Sequence, residues 1–320
     1  MVALAALGGA TAGPAAGLPD QASPTGEEHA HSHGPDGVDL DGRGRGKPGV
    51  VAAPPYAVDA HAPWSSGQWT GGTQTSDVAD ANALPQFHAI YMYPSNGTSR
   101  FSQFAAMIQA DARQASDRLN ALGKAVRWDT RNGGTLIDIT VVRSSNTAKR
   151  LGSASQFTLV KNEIASRGLN KTNKKYIVWL DAASQYCGQG ELYQDTRRTA
   201  ANNNELKTTA IVYRPYPTND PATGGFCRGR TAMHEMGHNL GAVQGVAPHA
   251  FDGAHCNDSA EDVMCYTSAT SFDSGGAAFD FGNDDYWDPS ASKLGWWTVN
   301  LSKYLCPSPT TCASPANPAY

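Results

Sequence analysis

Two histidines four residues apart with a glutamate beside the first, His234-Glu235-Met236-Gly237-His238, constrain this chain more than any other feature. On an α-helix, positions i and i+4 lie one turn apart on the same face, so both imidazoles can hold one ion. Glu235 then sits where its carboxylate reaches a water on the metal rather than the metal itself. Neutral imidazole suits zinc, and three protein ligands would leave one position open to solvent. Gly241 follows three residues after His238. A residue free to take φ > 0 can end the helix there and swing the chain back toward the ion. The returning segment carries Gln244, His249, Asp252 and His255, and Val263-Met264-Cys265-Tyr266 comes next.

The rest of the chain sets the context for that helix. Its 320 residues suffice for a sizeable core. A formal charge of −4 without long basic runs argues against nucleic acid or an anionic membrane as partner. No stretch approaches the roughly 18–20 apolar residues of a membrane span. The 33 glycines and 19 prolines announce long loops. All six cysteines, Cys187, Cys227, Cys256, Cys265, Cys306 and Cys312, lie in the second half, with no CxxC pair. That pattern predicts disulfides and a secreted, extracellular protein. Loop closure suggests Cys187–Cys227, Cys256–Cys265 and Cys306–Cys312.

Residues 1–17 are small and apolar, like the later part of a signal peptide, although the basic start is missing. Residues 18–86 read as a flexible linker or propeptide-like segment with little periodicity, and include the run His29-Ala30-His31-Ser32-His33. From Phe87 the pattern is globular. Strands are expected at 87–93, 136–142, 175–182 and 209–214, and helices at 99–122, 154–167 and 291–301. Alternating strands and helices predict an α/β sheet covered by helices. The expected division is 87–241 for an N-terminal catalytic subdomain, 242–304 for a small loop-rich C-terminal one, and 305–320 for a disulfide-closed tail.

HEMGHNLG followed by DVMCY resembles the metzincin clan of zinc metallopeptidases and, more narrowly, secreted actinobacterial metzincin-like proteins. The resemblance is close over 231–266 and looser from Phe87 onward. It implies a mixed twisted sheet, an active-site helix carrying HExxH, and a methionine turn in the C-terminal subdomain, with Met264 as an apolar floor under the histidines. It also implies that an edge strand near 185–193 pairs with a peptide substrate. The chain departs from the clan at position 244, where a third ligand is usual and Gln244 stands. An amide oxygen is a poorer zinc ligand, so His249 is the first choice, then His255, then Asp252, with Gln244 still open.

The implied activity is zinc-dependent endopeptidase chemistry by a single-chain monomer on a protein or peptide substrate, with Glu235 as general base. Tyr266, two after the methionine, matches a tyrosine that some clan members place on the metal or the tetrahedral intermediate. The departure at Gln244 keeps open a second reading, a degenerate extracellular binding or adhesion module. Asp258, Glu261, Asp262, Asp280, Asn283, Asp284, Asp285 and Asp288 supply hard oxygens, so a Ca²⁺ site near the methionine turn is conceivable, although no known calcium-loop spacing is met.

Overall fold

The structure is a computed structural model. It describes residues 69–80, 82–131, 134–184, 186–193, 207–215, 230–250, 254–259, 261–265, 278–288 and 299–312, together with the backbone of two N-terminal strands. Those strands are β1 (Glu28–His33) and β2 (Asp39–Leu40). Then follow β3 (Gln86–Tyr93), α1 (Phe101–Asn120), β4 (Ala125–Val126), β5 (Ile139–Arg143), α2 (Ala148–Leu151) and α3 (Gln156–Ser166). The chain continues through β6 (Lys174–Ser184), β7 (Gly188–Tyr193), β8 (Thr209–Pro215), α4 (Arg230–Leu240) and β9 (Leu305–Cys306).

Seven strands form one mixed sheet in the order β2-β1-β7-β8-β6-β3-β5. β5, β3, β6 and β8 run parallel, while β7 lies antiparallel on β8 and β1 antiparallel on β7. The parallel strands are apolar on both faces, as a sheet with helices on each side requires. One face carries Phe87, Ala89, Tyr91, Ile177, Trp179, Ala210 and Val212 into a core shared with α1 and α4. The alternate residues Ile90, Met92, Val178, Leu180, Ile211 and Tyr213 pack against α3. α1 buries its stripe at Phe101, Phe104, Ala105, Ile108, Ala112, Ala115 and Leu119, the 3.6-residue period read in the sequence.

Long-range pairings finish the body. β9 returns to pair with β4, bringing the C-terminal end beside the start of the sheet. Two disulfides, Cys256–Cys265 and Cys306–Cys312, close short loops as expected. Cys187 is also disulfide-bonded, and Cys227 lies outside the described residues. The segment read as linker contributes β1 and β2, and its residues Asp77 and Asp80 bond Lys174 of β6. Of the helix expected at 291–301, the described part is a 3-10 turn at Val299–Leu301. No helix among the described residues is long and apolar enough to cross a membrane.

Candidate metal centre

α4 lies under the antiparallel side of the sheet, against β7 and β8. Asn239 fixes it there, its side-chain amide donating to the backbone carbonyls of Glu191 and Thr209 at 3.1 and 3.2 Å. On its inner face His234, Glu235 and His238 are all buried. Gly241 ends the helix with φ +90°, and Val243 at φ +42° continues the reversal. Gln244 donates to the Gly241 carbonyl at 3.0 Å, so its side chain is turned to the helix end.

The returning chain brings His255, not His249, to the histidine pair. His234, His238 and His255 each offer a donor atom, and all three atoms lie within 4.8 Å of one another. The three rings are 4.6–5.2 Å apart between centroids. His234 Nδ1 lies 2.7 Å from the Val263 carbonyl, which can only accept. Nδ1 therefore carries the proton, and the lone pair sits on Nε2. That Nε2 is 3.0 Å from His238 Nε2. Zinc–nitrogen bonds of about 2.0–2.1 Å in tetrahedral geometry place donors about 3.3 Å apart. Three buried imidazoles whose donor atoms lie within 4.8 Å of one another, one pair at 3.0 Å and one ring in a fixed tautomer, fit a zinc-type ion.

His249 stands elsewhere, with its Nδ1 2.9 Å from Asp285 Oδ1. The physical reason is that Asp285 also accepts the backbone N–H of His249, so the turn is held from both ends of the residue. Asp252 and Tyr266 lie outside the described residues. Met264 is fully buried against the helix: a Cβ on Gly237 would fall 2.4 Å from its sulfur, so the glycine inside HEMGH lets the methionine approach. Asp262 holds that turn, accepting from the backbone of Met264 and Phe281 and from the Tyr286 hydroxyl. Burial pushes its carboxyl up to about 8.

Two site residues escaped the sequence reading. A Cβ at Gly188 would lie 2.2 Å from Glu235 Oε1, and one at Gly190 would lie 2.9 Å from Glu235 Oε2. The Gly188-Gln189-Gly190 run thus lets the β7 backbone pass directly over Glu235. Glycine inside a strand marks such close approach, and that was the available signal. Tyr213, behind the same strand, has its ionisation pushed far up by burial and by the charge of Glu235.

No protein-family model and no curated protein matches the chain. Among solved structures, metalloproteinase-II from Bacteroides fragilis is similar over 77% of this chain and 60% of its own, at 15% identity and TM-score 0.34. Wild-type OgpA from Akkermansia muciniphila is similar over 53% of this chain and 51% of its own, at 12% identity and TM-score 0.32. A catalytically inactive OgpA bound to an O-glycopeptide substrate is similar at 11% identity and TM-score 0.30. The chain therefore spans 51–60% of the lengths of these proteins.

Proposed function

We propose that this chain is a secreted, zinc-dependent endopeptidase of the metzincin type. The observation that carries the reading is the convergence of His234, His238 and His255 beside Glu235, under a glycine-lined strand edge. His255 stands beside the histidine pair where Gln244 offers no imidazole, which supports the peptidase reading over a degenerate module. Cys256–Cys265 and Cys306–Cys312 support an oxidising, extracellular setting.

When bound, zinc would supply a Lewis acid that acidifies water and polarises a carbonyl. The chain's own residues do the rest. The three imidazoles would hold the ion, and the Val263 carbonyl keeps His234 in the tautomer whose Nε2 can bind it. Glu235 takes a proton from the attacking water and delivers it to the departing amine, a role worth roughly 10²–10⁴-fold. β7 offers backbone groups to an extended peptide, which would join the sheet as a further strand. Since β1 pairs with that edge, from Glu28 opposite Tyr193 to Ser32 opposite Gln189, the peptide must displace it.

The test is peptide release from casein by the zinc-loaded chain, with and without a chelator. Glu235→Gln should keep the fold and the metal while kcat falls about 10²–10⁴-fold. Undiminished turnover in that variant, or release that a chelator leaves untouched, overturns the mechanism.

A further inference from the structure

Past the three-imidazole centre, the return loop builds a second cluster. His249, Asp258, Asp284 and Asp285 each offer a donor atom, and the four atoms lie within 4.8 Å of one another. Three separate stretches supply them: the turn after α4, the residues just past the Cys256 half of its disulfide, and the 280–287 loop. That last loop is wound about Asp280, whose carboxylate accepts the backbone N–H groups of Asp284, Asp285, Tyr286 and Trp287. The winding, with Asp280 and Asn283 both at φ +56°, sets the Asp284 and Asp285 side chains toward His249.

The cluster is more than acidic residues on a surface. The Asp285 side chain is fully buried. Its Oδ1 serves His249, while Oδ2 has no hydrogen-bond partner among the described residues. Asp284 Oδ1 is likewise buried and unpartnered. His249 Nδ1 lies 2.9, 3.7 and 3.9 Å from the carboxylates of Asp285, Asp258 and Asp284. A lone imidazole facing three carboxylates balances little of their charge, and a buried carboxylate oxygen without a donor is costly. Burial and the charges of Asp258 and Asp280 push Asp285 up to about 6 against the opposing charge and hydrogen bond of His249.

We propose that His249, Asp258, Asp284 and Asp285 form a second divalent-cation site, separate from the His234–His238–His255 centre, that takes a zinc-type ion. The donor set selects the ion. Carboxylates alone would suit calcium or magnesium, but an imidazole among four donors favours a borderline transition ion. Solvent can reach the site, since the Asp284 and His249 side chains are 47% and 37% exposed. Bound there, the ion cross-links the stretches that flank His255. Asp258 Oδ1 also lies 3.2 Å from Cys265 Sγ, which sets the site against the disulfide beside Met264.

Zinc stoichiometry of the full-length chain by elemental analysis tests this, after saturation and dialysis against buffer. The native chain should hold two equivalents, and His249→Ala and Asp258→Asn one each, with the remaining equivalent lost on adding His238→Ala. In His238→Ala alone, added zinc should raise the unfolding midpoint, and the His238→Ala/His249→Ala pair should show no rise. One equivalent in the native chain that persists in His249→Ala and vanishes in His238→Ala overturns the second site alone. One equivalent that vanishes in His249→Ala but survives His238→Ala upholds it and removes the first. Two equivalents unchanged in both His249→Ala and Asp258→Asn overturn the residue assignment. Calcium that displaces the second zinc equivalent at equal concentration overturns the choice of ion.

Discussion

Among the described residues, a buried histidine cluster at the N-terminal end of β3 and another on α4 resolve the same electrostatic problem in opposite ways. His88 has both ring nitrogens engaged, Nδ1 with Asp129 at 2.7 Å and Nε2 with the Thr140 hydroxyl at 2.8 Å. Asp77, Asp129 and Asp138 surround it at metal-binding distances. The cation there, however, is Lys174, whose ammonium bonds Asp77, Asp80 and Asp129 at 2.5–2.8 Å. In the α4 cluster, one imidazole nitrogen faces another across 3.0 Å. Proximity of ligand-type residues therefore does not define a metal site. What matters is whether the protein already supplies the counter-charge and uses up the lone pairs.

The largest effect that sharpens this contrast comes from Lys174→Met. Removing the ammonium strands three carboxylates and should cost about 3–5 kcal/mol, the range for breaking a buried ion pair. Denaturant unfolding would read it as a lowered midpoint with zinc content unchanged. Uptake of an extra metal equivalent, with stability retained, would break the comparison by making this cluster a metal site too. The pH dependence has a definite sign. Burial pushes the Asp77 carboxyl up, but the His88 charge and the hydrogen bonds from Lys171 and Lys174 outweigh it, so its pKa is lowered in the fold. A lowered carboxylate contributes stability above its unfolded pKa of about 4 and loses it as pH falls through the lower folded value. Asp77→Asn should therefore flatten the acid limb of the stability profile below about pH 4. An unchanged limb would show that Asp77 is not paired in solution.

The contrast also explains how much could be read in advance. β3, β6 and β8 were legible because burial on both faces leaves short apolar runs bounded by polar turns. His234 and His238 were legible because helical periodicity fixes their relation without any other part of the chain. His255 was not. Whether Gln244, His249 or His255 returns to the helix depends on which turns the loop takes, and those turns are set by distant partners. Asp285, 36 residues on, holds His249, and the Cys256–Cys265 bridge anchors the residue next to His255. β4 and β9 were invisible because a two-residue strand has no period to detect. The glycines of β7 were visible but unread, since their meaning lies in what passes behind them.

A smaller effect probes the catalytic side of the comparison, where space rather than charge is arranged. Gly190→Ala would set a methyl 2.9 Å from the Glu235 carbonyl oxygen and 3.1 Å from His238 Cβ. Overpacking of that kind costs about 1–3 kcal/mol. A shift of α4 by a fraction of an ångström to relieve it should lower kcat by up to about 10²-fold, because catalytic groups tolerate little displacement. Metal content should fall less than kcat, since the methyl meets His238 at its Cβ while it presses on both the backbone and the carboxylate of Glu235. If turnover is retained while stability falls, β7 acts only as a structural strand and not as the wall of the site.

The smallest effect concerns the outer edge of that strand. β1 runs antiparallel to β7 with His31 opposite Gly190 and Ser32 opposite Gln189, which is the edge an extended substrate would use. In an antiparallel ladder only alternate residues bond a given neighbour, so one of two consecutive positions donates to β7. His31→Pro combined with Ser32→Pro therefore removes a ladder donor whichever position supplies it. Each net backbone hydrogen bond is worth about 0.5–1.5 kcal/mol, so freeing the edge should lower KM about 2- to 10-fold with kcat little changed. A rise in KM would mean that β1 shapes the cleft instead of competing for it. An unchanged KM would mean that peptide does not enter along β7, which would leave the metal chemistry intact while removing strand addition as the mode of binding.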